Sequence, residues 1–134
     1  EMTSSLVGSE MCIRDRQWQS PEAERIFPIV QDAFEKGKVI GGICNAASFL
    51  CAHGFLNHVK HTGNTLAVLK QWGGERYTNE DGYLEKQAVG DKNIVTANGT
   101  GYLEFTRELL LALKADTQEK IEAFYDFSKN GLVR

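Results

Sequence analysis

The chain has 134 residues, of which 42% are hydrophobic and 25% charged, and a formal net charge of −3. This is enough for one domain around a single core, and the mildly acidic balance argues against nucleic acid or an anionic membrane surface as a partner. No apolar run approaches the roughly 20 residues of a membrane-spanning helix. The three cysteines are odd in number and lack metal-ligand spacing, so neither a disulfide framework, a zinc site nor any other cofactor is suggested. A reducing, cytoplasmic setting is expected.

Residues 1–16 stand apart from the rest. Leu6 to Arg16, LVGSEMCIRDR, resembles the translation of a common transposon-type sequencing adapter, and a scar of this kind is set aside before the fold is considered. Residues 1–16 are therefore read as a non-native leader and 17–134 as the domain, so Cys12 carries no functional weight. From Ser20, a helix is expected with Pro21 at its first position. Ala23, Ile26, Val30, Ala33 and Phe34 share one face at helical spacing, and Gly37 ends the helix.

The central stretch is Lys38 to Gly54, KVIGGICNAASFLCAHG. Val39–Ile43 reads as a short buried strand and Asn45–His53 as a helix, with Cys44 at the hinge. A cysteine there has the setting of a nucleophile elbow: the sharp turn exposes the side chain and places it beside the free N–H groups of a helix start. Such a thiol ionises more readily and becomes a better nucleophile. The competing reading is a small buried hydrophobe. The backbone N–H of Asn45 would be an oxyanion donor. Cys51 lies two helical turns further on, about 10 Å along the axis, and reads as a core residue.

Beyond the hinge, Val59–Thr62 is a strand candidate and Thr65–Trp72 a helix closed by Gly73-Gly74. Tyr77–Val89 holds one or two strands with turns at 79–82 and 90–93. Ile94–Ala97 is a strand, and the loop Asn98–Gly101 opens a helix over Tyr102–Lys114. A helix start can hold an anion, so Gly99 and Thr100 are candidate binding residues, along with Thr62 and Asn64 at a pocket mouth. His61 is a candidate base, weighed against a plain packing role. Asp116 with Glu119 resembles a capping box for a last helix ending at Asn130-Gly131. Trp72, Phe124, Tyr125 and Phe127 read as core or dimer contacts. Helices alternating with short apolar strands indicate an α/β fold with a mostly parallel sheet covered on both faces.

Two blocks carry a family resemblance: Val39 to Thr65, with the elbow followed by G-F-L, and Asp91 to Leu113, with the N-I-V-T strand, its glycine loop and helix. Together they resemble the DJ-1/PfpI family, part of the class I glutamine amidotransferase-like fold, over about Ser20 to Lys114. The resemblance implies a three-layer α/β/α, Rossmann- or flavodoxin-like sandwich with Cys44 as nucleophile. It also implies that the family's N-terminal strands, with an acidic partner for the cysteine, are not represented here. The chain is accordingly expected to be aggregation-prone and inactive by itself. Family members carry a histidine either directly after the cysteine, where Asn45 stands, or at the end of the next strand, where Asn64 stands. No histidine follows Asn64, so glutaminase activity is not expected. The family includes amidases, peptidases, glyoxalase-like hydratases and redox-stress proteins, and many members dimerise. Two functions follow from the resemblance: a cysteine-dependent hydrolase acting on a small carbonyl or amide substrate, or a stress-responsive redox sensor that oxidises the same cysteine reversibly.

Overall fold

The computed structural model of the chain describes residues 18–132. Helix α1 (Pro21–Glu24) and helix α2 (Phe27–Glu35) take the place of the single helix expected from Ser20. Pro28 accounts for the break, since it has no N–H to return to the carbonyl of Glu24. Ala23 and Val30 are buried, whereas Phe34 is 42% exposed and packs on Phe55 with the two rings tilted by 55°.

Strand β1 (Ile40–Ile43), strand β2 (Ala88–Asp91) and strand β3 (Ile94–Ala97) form one sheet in the order β1-β3-β2. β1 and β3 are parallel, with Ile40 opposite Ile94 and Ile43 opposite Ala97. β2 runs antiparallel to β3, so the sheet is mixed, with one pairing of each kind among the described residues. The antiparallel pairing comes from the turn Lys92-Asn93, where both residues have positive φ, 49° and 68°, as a tight two-residue hairpin requires. Gly90, expected in the turn, lies within β2.

Alternation along the strands sorts the core into two layers. Ile40 and Ile94 join Val30, Phe49, Leu50, Leu56 and Leu69 on one face, which is covered by α2, α3 (Asn45–Ala52) and α4 (Leu66–Gly73). Ile43, Val95 and Ala97 join Phe105 on the other face, beneath α5 (Tyr102–Leu113). Helices on both faces of a sheet make the three-layer α/β/α arrangement. The two glycines of β1 let both layers approach. A Cβ on Gly42 would lie 2.8 Å from Leu50 Cδ1 and 3.2 Å from the Ala46 backbone.

The segment expected as a strand at Val59–Thr62 makes a single bridge, His61 with Tyr83. Side chains take over the rest of its ladder: Lys60 N–H donates to the Asp91 carboxylate (2.8 Å) and Thr62 N–H to Thr96 Oγ1 (2.8 Å). His61 is wholly buried. Its Nδ1 lies 2.8 Å from the Val59 carbonyl and its Nε2 2.7 Å from the Tyr77 hydroxyl. A carbonyl only accepts, so Nδ1 carries the proton and Nε2 accepts from Tyr77. Burial holds the imidazole below its ordinary value, opposed by the bond to Val59.

The last helix, α6 (Gln118–Asn130), is capped by Thr117, whose hydroxyl accepts from Lys120 N–H, and not by Asp116. Ile121 is its buried residue, while Phe124 and Phe127 are more than half exposed and so are not core. α6 is held by Glu104 of α5, which accepts from Tyr125 Oη and, at 2.6 Å, from Lys129 Nζ. Burial pushes the Glu104 carboxyl up, but these two donors outweigh it and leave the group below its usual value.

Three outcomes follow from this packing. Gly42→Ala should destabilise the fold by roughly 1–3 kcal/mol, because the Ala46 backbone cannot yield as a side-chain tip would; a denaturant melt measures it. His61 binds a proton more readily unfolded than folded. Its stabilisation is therefore complete above about pH 6.5, the ordinary histidine value, and lost as pH falls through the lower folded value; His61→Ala should flatten that slope in melts taken from pH 7.5 to 5. Glu104 has the same sign at lower pH: docking of α6 is complete above the ordinary carboxylate range and weakens below it. Glu104→Gln should speed hydrogen exchange in α6 while leaving β1 and β3 protected.

Candidate functional site

The hinge between β1 and α3 is a single residue. Cys44 has φ 61° and ψ −127°, a region that side-chain-bearing residues rarely occupy and that costs roughly 1–3 kcal/mol. Cys44 N–H still donates to the Ala97 carbonyl at 3.0 Å, so the residue hangs on the end of the sheet. Asn45 is the first residue of α3, where helix geometry leaves the N–H without an intrahelical acceptor. Cys44 is 6% exposed. Its sulfur is disulfide-bonded in this structure, a single bond and not a disulfide framework. An odd cysteine count rules out complete pairing but not one bond. Nucleophilic chemistry at Cys44 therefore belongs to the reduced protein.

Asn64 joins the elements around the hinge. Its Nδ2 donates toward Cys44 Sγ (3.4 Å) and Asn45 Oδ1 (3.3 Å), and its Oδ1 accepts from Gly99 N–H at 2.9 Å. Cys44, the start of α3 and the loop before α5 thus meet at one amide. Beyond it opens a depression of about 780 Å³ lined by Asn64, Thr65, Tyr83, Glu85, Lys86 and Asn98, among others.

Several expected site residues lie differently. His61 is no base for Cys44 here, because both ring nitrogens are taken by Val59 and Tyr77. Thr62 is wholly buried and donates to the Lys86 carbonyl at 3.1 Å, so it does not line the pocket mouth. Gly99 and Thr100 are exposed at the rim, but their N–H groups are satisfied within the protein, by Asn64 Oδ1 and Asn98 Oδ1 respectively (2.9 Å each). With Gly101 N–H on the Asn98 carbonyl, the loop has no set of free donors to offer an anion. Cys51 is a core residue as expected: it donates to the Leu69 carbonyl, and burial pushes its thiol up to about 12.

The central place of Asn64 is what residue-by-residue reading underweighted. The sequence puts Asn64 at a pocket mouth and, by resemblance, where family members carry a histidine, but does not show its bonds to Cys44, Asn45 and Gly99. Tyr77 gave no sign of its pairing with His61. Among the described residues no cluster of His, Cys, Asp or Glu could hold a metal ion, and no helix is long and apolar enough to cross a membrane.

Comparison with known proteins agrees with this geometry. The model of the DJ-1/PfpI family matches residues 16–112. Two proteins of Bacillus subtilis named as uncharacterized proteases, YdeA and YoaZ, are 39% and 34% identical over 112 residues, which is 84% of this chain and 56% and 53% of theirs. A solved structure of a thiJ/pfpI family protein from Bacillus anthracis superposes with a TM-score of 0.77 at 31% identity, covering 84% of this chain and 52% of that one. A DJ-1 superfamily protein from Agrobacterium tumefaciens gives 0.71 at 31% identity, covering 86% and 61%. The chain thus spans about half the length of the curated relatives it matches. A cysteine on a strained strand-to-helix hinge, a three-layer α/β/α scaffold and the match over residues 16–112 converge: the chain belongs to the DJ-1/PfpI family.

Proposed function

We propose that this chain carries the nucleophile half of a cysteine-dependent hydrolase acting on small carbonyl or amide substrates. The observation that supports it most directly is the backbone of Cys44, held at positive φ between β1 and α3, which is the strained turn of a nucleophile elbow. In the reduced protein the Cys44 thiolate attacks the carbonyl carbon. The carbonyl electron pair moves onto oxygen, and the N–H of Asn45 at the helix start lies where it can stabilise that charge. Collapse of the adduct expels the amine or alcohol, which takes its proton from water. A second water then hydrolyses the thioester and restores the thiol. The depression lined by Asn64, which borders Cys44 through its amide, is offered as the binding space, with Tyr83, Glu85 and Lys86 as polar contacts. The relatives named as proteases favour a hydrolase.

A second reading, reversible oxidation of the same cysteine as a redox sensor, draws on the place of Cys44 at the start of α3, where a thiolate, the form that oxidises, is favoured. Turnover separates the two. The reduced protein, joined to the N-terminal part of the family domain, is assayed against small esters, amides and α-oxoaldehydes, and Cys44→Ser should lower its activity by roughly 100-fold or more, the scale seen when a nucleophile is removed. Activity that survives the substitution removes the hydrolase reading. Peroxide-dependent mass shifts at Cys44 without turnover of any substrate would establish the sensor in its place.

A further inference from the structure

The amide of Asn64 has only one orientation open to it. Its Oδ1 lies 2.9 Å from Gly99 N–H, and a backbone N–H can only donate, so a flipped amide would set donor against donor. The NH2 group is thereby fixed toward Cys44 Sγ at 3.4 Å, a disulfide sulfur that stands here for the thiolate of the reduced protein, and toward Asn45 Oδ1 at 3.3 Å. An amide NH2 donates but has no basic lone pair. It cannot take the thiol proton, yet it favours the charged sulfur over the neutral one by hydrogen bonding to it. His61, the residue nearby that could have taken a proton, is spent on Val59 and Tyr77.

We propose that Asn64 is the positioning residue of Cys44: it is locked by the Gly99 N–H so that its own N–H stabilises the Cys44 thiolate. The thiol proton leaves to solvent. This rests on reading Cys44 as the nucleophile. The ionisable groups that line the depression with Asn64 are Tyr83, Glu85 and Lys86; Cys44 itself is not in its lining. The residues clustered with Cys44 on the sheet, Ala88, Ala97 and Phe105, are apolar. None of these differs between the wild type and the variants below, so their titration cancels in the comparison.

The test is alkylation of the reduced full chain by iodoacetamide between pH 5.5 and 10, with the peptide containing Cys44 followed by mass spectrometry. No substrate is needed. The wild type should show one inflection. Asn64→Asp keeps an oxygen for Gly99 N–H but removes the donor and sets a negative charge beside the sulfur. Its midpoint should lie at least one pH unit higher, which makes alkylation at pH 7 roughly tenfold slower. Asn64→Ala should shift the midpoint in the same direction by less, and it decides the matter if the aspartate variant does not melt cooperatively. A midpoint that stays in place, even if rates change equally at every pH, overturns the proposal and leaves Asn64 a merely structural tie. Failure of the nucleophile reading is distinct: it shows as turnover surviving in Cys44→Ser, whatever the alkylation midpoint does.

Discussion

The arrangement depends on how closely two helices can lie on one four-residue strand. β1 is Ile-Gly-Gly-Ile, and its glycines face opposite layers: a Cβ on Gly41 would meet Phe105 and Leu109 of α5, and one on Gly42 would meet Leu50 and Ala46 of α3. With no side chains between them, α3 can leave the strand immediately and fold back over it. A strand that must reverse into a helix within one residue has few backbone solutions, and Cys44 takes one with positive φ. The strain at the hinge is thus offset by packing on either side of it, the pattern expected where a scaffold over-determines a functional residue.

Polar chemistry around the hinge is organised by amides more than by charges. Asn64 joins Cys44, Asn45 and Gly99, Asn79 donates to the carbonyls of Leu56 and Val59, and Asn57 joins the Arg76 carbonyl and Thr78 N–H. Each amide offers donors and an acceptor at once, so one side chain can satisfy backbone groups from two segments. These segments lack a regular ladder. Among the described residues, the stretch from Phe55 to Thr62 and the Tyr77–Leu84 loop share one β-bridge, His61 with Tyr83, and are otherwise joined through side chains. The buried backbone there is satisfied by side chains, as an irregular segment in a core requires.

Much of this was legible in the sequence. Apolar runs together with helix start and stop signals located α3, α4, α5 and α6 to within a residue or two, and β1 and β3 likewise. The paired blocks around Cys44 and Ile94 pointed to the family and hence to the three layers. What escaped was set by contacts between distant positions. Val59–Thr62 has strand-like residues, yet Thr62 N–H finds the Thr96 hydroxyl 34 residues away and leaves the ladder. The same holds for His61, whose environment is made by Tyr77. The glycines of the 98–101 loop suggested an anion cradle from composition, but whether an N–H is free depends on Asn64 and Asn98 reaching it. The break at Pro28 and the cap at Thr117 were local and could have been read.

The Lys92-Asn93 turn governs more than the hairpin it closes. β3 is the central strand, and its register fixes Ala97 opposite Cys44's end of the sheet, where the Ala97 carbonyl accepts the Cys44 N–H. An inserted or deleted residue at the turn would slip β2 against β3 by one position, and a one-residue slip exchanges the two faces of a strand. If β3 took up the change, Val95 and Thr96 would trade layers, removing both the wall beneath α5 and the hydroxyl that holds Thr62. Length at positions 92–93 should therefore tolerate little variation, even though both residues are exposed and touch no part of the site.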